Sequence, residues 1–227
     1  MLLRKYIEDL PLFANIQSTE LEKILHCTGA SICKYDKGEI VMRGGQTIQK
    51  VGVVLSGSVS VLRDDVYGNH AVLERLEEND LVGLLFSIGH LANEDVYLYA
   101  IKNCEILLMD AKKLVNGCEN YCGSHRQLLR NALTLVVDKN DALIRKQCHM
   151  SQHTLRGKIT SYFMELSLQK QSRQITIPYK RQEFADYLGV DRSALSAELS
   201  RMKRDGLLNF QFEKFELLEP FFNQQGK

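Results

Sequence analysis

Apolar positions change their rhythm three times along this chain. Residues 1–26 carry them at helical spacing, with a break at Pro11. Ser18 or Thr19 can cap a second helical stretch in which Leu21, Ile24 and Leu25 face inward. From Ala30 to about Asp110 they fall in short β-rich runs, EIVMR, VGVVLSG, VSVLR, HAVLERL and DVYLYAI. Glycines at 38, 44–45, 57, 68 and 83 separate them. Short strands at even spacing with glycine turns predict a β-sandwich or barrel-like roll. Residues 111–149 return to a helical period, with no proline and no glycine after 123. Leu128, Leu135 and Ala142 form one seven-residue row, and Leu129, Val136 and Leu143 form its neighbour. Such a stripe predicts a long helix that either forms a two-stranded seam with a second copy or packs on its own domain.

The last segment holds the densest local signal, KRQEFADYLGVDRSALSAELSRMKRD over residues 180–205. Phe184, Ala185 and Leu188 give a first helix one apolar face. Gly189 ends it, because glycine takes the left-handed position after a helix without a Cβ penalty. Asp191 is placed to cap a second helix, in which Leu195, Leu199 and Met202 face inward. Gly206 stops that helix. Two short strands follow, Leu207–Phe212 and Phe215–Leu218, joined at Glu213–Lys214 without the usual Asn-Gly turn signal. Helix, tight turn, helix and hairpin is the winged helix-turn-helix arrangement. A helical hairpin packed in an ordinary core would share much of this pattern. Ser151–His153 is the expected hinge, and Thr154–Leu168 a further helix leading to the pair.

The domains expected are therefore residues 1–123, 124–150 and 151–227. The fold class is α+β: an N-terminal double-stranded, jelly-roll-like β-roll, a long helix and a C-terminal winged helix-turn-helix. At 227 residues the chain is long enough for real cores. Its longest apolar runs fall short of the roughly 20 residues of a membrane span. The opening MLLRKYIEDLPLF lacks an apolar core followed by a small-residue cleavage site, which argues against secretion. The six cysteines, at 27, 33, 104, 118, 122 and 148, form no CxxC pair and read as reduced thiols. Cys118 and Cys122, one helical turn apart, have the spacing of a redox pair or of two independent thiols. Residues 151–227 hold 12 Lys and Arg against 9 Asp and Glu, net +3; residues 1–150 hold 17 against 19, net −2. A mildly basic C-terminal part suits nucleic acid.

Taken in order, these segments resemble the CRP/FNR superfamily of bacterial transcription regulators over nearly the whole chain. The matching stretches are Leu12–Leu25, VGVVLSGSVSVLRDDVYGNHAVLERL with Gly57 and Gly68, and Arg181 to Leu208. The resemblance implies a cytoplasmic homodimer on a palindromic promoter site in double-stranded DNA, with RNA polymerase as a further partner. It also implies that a signal received by the roll reorients the DNA-binding pair through the long helix. Its seam would draw on Leu128, Leu129, Leu135, Val136 and Leu143.

Several positions depart from the family pattern. Cyclic-nucleotide-binding members place a Gly-Glu pair and an Arg-Ser pair around the sugar and cyclic phosphate. The first pair falls on Gly83-Leu84, followed by Leu85, and the second on Glu94-Asp95. Carboxylates where a phosphate would sit repel it, and the bidentate arginine is missing. The polar pair that meets adenine falls on Ala142-Leu143. These seven residues outline an effector pocket suited to a small, more apolar or cationic ligand rather than to cyclic AMP. Asn79-Asp80 stands where the family has Gly-Asp, and asparagine tolerates the left-handed conformation. No metal and no cofactor is expected. The cysteines lack the N-terminal clustering of iron–sulfur sensors, and His90 has no haem motif around it.

On the second helix, Arg192, Ser193 and Ala197 occupy positions where family members carry Arg, Glu and Arg; Ser196 matches a serine of FNR-type members. Arg192 is the first choice for reading a base, with Ser193 and Ser196 beside it. Lys180, Arg181, Arg201 and Lys203 suit phosphate contacts. A paired-carboxylate, nucleophile–base or phosphate-loop constellation is missing, so an enzyme is not expected. A dimeric scaffold whose helix-turn-helix meets protein is the competing function.

Overall fold

The structure, a computed structural model, describes residues 7–44, 49–64, 70–87, 95–117 and 122–223. It divides into two compact units, Met1–Lys139 and Asn140–Lys227, whose boundary falls within one long helix.

The first unit is built on two four-stranded antiparallel sheets. One pairs β1 (Ser31–Tyr35) with β8 (Cys104–Asp110), then β3 (Lys50–Ser56) and β6 (Leu81–Val82). The other runs β2 (Ile40–Arg43), β7 (Val96–Ala100), β4 (Val59–Asp64), β5 (His70–Leu76). Alternation sorts the side chains: Val54, Ile106 and Leu108 join Val59, Val61, Val96 and Leu98 in one apolar cluster. Val51, Val53, Leu55, Leu107 and Met109 point the other way. That second cluster is completed by Leu12 and Phe13 of a 3-10 turn, Pro11–Phe13, and by Leu21 and Ile24 of helix α1 (Ser18–Cys27). Gln17, rather than Ser18 or Thr19, is the cap residue of α1, and it makes no side-chain cap bond. The β-roll expected from the sequence is present, and Gly38, Gly57 and Gly83 all hold positive φ at its turns. At Gly57 an added Cβ would run into the backbone around Asn103 and Cys104, so any larger residue there must displace main chain. Asn79 takes the left-handed conformation anticipated for it, φ 72°, and its N–H donates to Val54 O at 2.9 Å.

A short helix α2 (Leu84–Ser87) follows β6, and α3 (Ala111–Asn116) follows β8, capped by the Asp110 carboxylate, which accepts from the Lys113 N–H. Helix α4 (Gly123–Met150) runs for 28 residues. Its early turns belong to the roll. Leu128, 0% exposed, and Ala132 enter the second cluster, and Leu135 packs against it. The Asn131 amide donates to Leu12 O at 2.9 Å and Ala14 O at 2.8 Å. Lys139 meets Glu74 at 2.8 Å and Asp80 at 3.4 Å. Leu128 is therefore occupied by the roll and not by a seam. The large apolar residues that α4 leaves exposed are Leu133, Val136, Val137, Leu143 and Ile144.

The second unit carries α5 (Leu155–Lys170), β9 (Gln174–Thr176), α6 (Arg181–Leu188), α7 (Arg192–Arg204), the hairpin β10 (Leu208–Gln211) and β11 (Lys214–Leu217), and α8 (Glu219–Phe222). Thr154 caps α5 by accepting from the Gly157 N–H at 3.0 Å. β9 adds to β11, giving a three-stranded sheet. Ile159, Phe163, Phe184, Leu195, Leu199 and Met202 meet Leu208, Phe215 and Phe221 in one core, with the Phe163 and Phe215 rings 4.5 Å apart. Truncating one of these fully buried side chains, Leu199 for example, costs about 2–5 kcal/mol.

Candidate nucleic-acid interface

Two local devices fix the ends of α6. The Lys180 N–H donates to Glu183 Oε2 at 2.8 Å, closing the first turn of α6. Gly189, φ 64°, ends it, and the Val190 N–H reaches back to Ala185 O at 3.0 Å, the doubled bond of a left-handed helix stop. Asp191 is indeed the residue before α7 and is extended, but its side chain makes no cap bond; its carbonyl accepts from Leu195 N–H at 3.0 Å.

With Leu195, Leu199 and Met202 buried, the 100° step of a helix turns Ser193, Ala197, Ser200 and Arg204 directly outward. Arg192, Ser196 and Lys203 lie on one flank and Ala194, Glu198 and Arg201 on the other. All are exposed except Ser196 and Glu198, which are half-buried. Ala197, Ser200, Arg201, Lys203 and Arg204 line a shallow concavity. Ser200 and Arg204 are absent from the sequence-derived set, although the spacing 193, 197, 200, 204 is itself helical.

Two acidic residues of this region, half-buried Glu198 and exposed Asp205, are paired with an arginine. Arg156 of α5 donates through Nε to Glu198 Oε1 at 2.6 Å, and its Nη1 meets Asp205 Oδ2 at 2.8 Å. Arg201 adds a 3.3 Å contact to Glu198. What α7 presents outward is therefore Arg192, Lys203 and Arg204, with Arg201 at the margin, and no uncompensated carboxylate among them.

Arg181 behaves differently from the phosphate contact expected of it. Its guanidinium lies 5.2 Å from the Phe210 ring centre and 5.8 Å from that of Phe215, and its Nη1 is buried without a hydrogen-bond partner. Burial pushes its pKa down, with Glu213 opposing and Arg192 adding to the effect. It is a cation–π strut between α6 and the hairpin. Lys203 stacks on the same Phe210 ring at 5.4 Å, which sets the hairpin beside the Arg192–Ser196–Lys203 flank. Lys180 remains exposed. The hairpin register, Gln211 opposite Lys214, places the turn at Phe212–Glu213, one residue earlier than the sequence suggests.

The effector positions fall in both units and are taken unit by unit. Gly83 is buried with φ 82°, and an added Cβ would lie 2.5 Å from Lys50 O, so close packing against β3 accounts for it. Leu84 packs on the apolar cluster beneath the first sheet, and Leu85 lies in α2. Asp95 accepts from Arg63 Nε at 2.7 Å, an arginine partner not anticipated from the aligned pairs. Ala142 and Leu143 are exposed on α4 in the second unit. Glu94, His90 and Cys118 lie outside the described residues. Cys104 is buried, Cys27, Cys33 and Cys122 are half-buried and Cys148 is exposed, all as free thiols. Among the described residues no group of three or more His, Cys, Asp or Glu could hold a metal ion, and no helix is long and apolar enough to cross a membrane.

A family model of the cyclic nucleotide-binding domain matches residues 32–121, and one of the Crp-like helix-turn-helix domain matches residues 157–220. The transcriptional activator protein FnrL of Cereibacter sphaeroides is 22% identical over 196 residues, spanning 82% of this chain and 76% of its own. FnrA of Stutzerimonas stutzeri, also a transcriptional activator, is 22% identical over 220 residues, 92% of this chain and 84% of its own. Among solved structures, OCPA-complexed CprK matches with a TM-score of 0.59 at 20% identity, over 86% of this chain and 91% of that one. The c-di-GMP-responsive global regulator CLP of Xanthomonas campestris matches with 0.55 at 20% identity, over 88% and 99%. These two likenesses concern the fold.

Proposed function

Because the chain belongs to the CRP/FNR superfamily of transcription regulators and is not an enzyme, we propose that it acts in the cytoplasm as a homodimer on a palindromic promoter site. Each protomer lays α7 in the major groove of one half-site. The observation that carries this reading is the exposed surface of α7: four exposed cations, Arg192, Arg201, Lys203 and Arg204, and a row of small side chains, with Glu198 and Asp205 both held by Arg156. Arg192 is the base reader, since a guanidinium can grip O6 and N7 of guanine together. Ser193 and Ser196 flank it, Ser200 lies about two turns further along the outward face, and Lys180, Arg201, Lys203 and Arg204 neutralise phosphates. The exposed stripe Leu133, Val136, Val137, Leu143 and Ile144 supports a two-stranded seam along α4, with Leu129 at its edge. RNA polymerase is the partner through which a bound dimer would act.

The roll receives the signal, and the effector is neither cyclic AMP nor cyclic GMP. Leu84 offers no acceptor to ribose hydroxyls, and the Arg63 guanidinium is already engaged by Asp95. A buried cyclic phosphate would have to take that arginine from its carboxylate. A small, more apolar or cationic ligand, or a change of thiol redox state, is the signal proposed. Selection of duplexes from a random pool by the full chain tests the DNA reading. A palindromic consensus with half-sites about one helical turn apart is expected; a pool that never enriches would refute it. Calorimetric titration tests the effector statement, and micromolar binding of either nucleotide would overturn it.

A further inference from the structure

Phe212 sits first in the two-residue turn between β10 and β11 and is 76% exposed. One exposed apolar side chain is ordinary on a protein surface. This one also holds φ 54°, a left-handed conformation in which a bulky Cβ is strained and which glycine or asparagine adopts freely. The chain thus carries a solvent penalty and a backbone penalty at one position, and a glycine in the turn would remove both. Local strain of this kind has a use where a side chain must be aimed.

The surroundings say at what it is aimed. Lys203 and Arg181 both lie over the Phe210 ring, two residues before the tip, so the hairpin rises from the Arg192–Ser196–Lys203 flank of α7. Two residues of strand carry the tip about 7 Å beyond that ring. A helix occupying a major groove about 12 Å wide brings a structure at its flank over the sugar–phosphate ridge and the narrower minor groove beyond. The one acidic residue of the turn, Glu213, is half-buried and acts on the Arg181 guanidinium, whereas Lys214 on the far side is exposed. The tip therefore offers DNA an aromatic ring beside a lysine.

We propose that Phe212 is an aromatic wedge that enters the minor groove next to each half-site and stacks against a base step there. It would extend recognition beyond the base pairs reached by α7. Apolar wedges act by partly unstacking a step, which favours flexible pyrimidine–purine steps at that position. The inference rests on the DNA-binding reading above.

The test uses the full chain and the duplex it selects, with 2-aminopurine placed in turn at each base flanking the half-site. Phe212→Asn tolerates the left-handed turn but has no ring. It should leave thermal stability equal or higher, weaken binding about 5- to 100-fold, and abolish a fluorescence rise that the wild type produces at one flanking position. Phe212→Trp should retain both affinity and signal. If the wild type binds its duplex and Phe212→Asn binds equally well, the wedge is refuted while the regulator reading survives. Equal DNA affinity together with lost transcription in a purified polymerase assay would mean that the tip meets protein, which also refutes it. If the wild type selects no duplex, both readings fall.

Discussion

Arg156→Met tests how α7 is held. In the wild type the guanidinium bridges Glu198 at 2.6 Å and Asp205 at 2.8 Å, fastening the middle and the end of α7 to α5. Methionine keeps most of the aliphatic stem, so the change removes mainly charge and hydrogen bonds. Exposed ion pairs contribute about 0.2–1 kcal/mol, whereas breaking a buried one costs about 3–5 kcal/mol. This pair lies between those limits: the Glu198 side chain is 13% exposed and that of Arg156 36%. Asp205 is exposed enough to be rehydrated, and Arg201 at 3.3 Å remains as a partial substitute for Glu198. Screening by solvent at Arg156 therefore brings the expected loss to about 1–2.5 kcal/mol. Hydrogen exchange followed by mass spectrometry reads it locally: α7 amides should lose protection by roughly 5- to 70-fold, while the strands of the roll are unchanged. A double-mutant cycle with Glu198→Gln should give a coupling of about 1 kcal/mol or more. Protection of α7 within twofold of wild type, or strictly additive single mutants, would show that the bridge does not hold the helix.

Arg192→Ala should cost about 1–3 kcal/mol on the selected site and relax one half-site position, whereas Arg204→Ala should weaken selected and random duplexes alike; competition binding against both pools separates them. Val137→Asp places a charge on the exposed stripe of α4 and should shift the chain to monomer without unfolding it. Sedimentation velocity showing an intact dimer would move the seam elsewhere. His149, 3% exposed and bonded to Ser161 at 2.9 Å and Glu165 at 3.1 Å, has its pKa lowered by burial, with Glu165 opposing and Arg145 adding to the effect. Its unfolded form then takes up protons first, so stability falls as pH drops below about 6.5 and levels off below the folded value. Melting curves of His149→Gln should fall less between pH 7.5 and 5.5 than those of the wild type, and parallel losses would contradict this.

The helix-turn-helix was legible because each of its parts is local: a glycine stop, an apolar triad at helical spacing, and a second glycine before the hairpin. The roll was legible from glycine turns and short β-rich runs. The phase of the α4 stripe was not, because a helix that serves two surfaces carries apolar residues for both. Leu128 and Leu135 go to the roll, while Leu133, Val137 and Ile144 remain exposed. The role of Arg181 was also hidden. Proximity to the second helix suggests phosphate, but the Phe210 and Phe215 rings that capture it lie about thirty residues further on. The Arg156 bridge joins residues 42 positions apart, beyond any local pattern. Arg63, opposite Asp95, is a similar case: an aligned pair of carboxylates says nothing of a cation supplied by another strand.

Binding of the selected duplex, followed by fluorescence anisotropy between 50 and 200 mM salt, measures DNA recognition most directly. Lys180, Arg201, Lys203 and Arg204 are four candidate phosphate contacts per protomer. Eight contacts in a dimer predict that log K falls against log salt with a slope of about −7, a loss of about 10⁴-fold across the range. A slope near −4 would mean that one protomer binds at a time. Affinity that does not change with salt would contradict the assignment of the α7 surface to DNA.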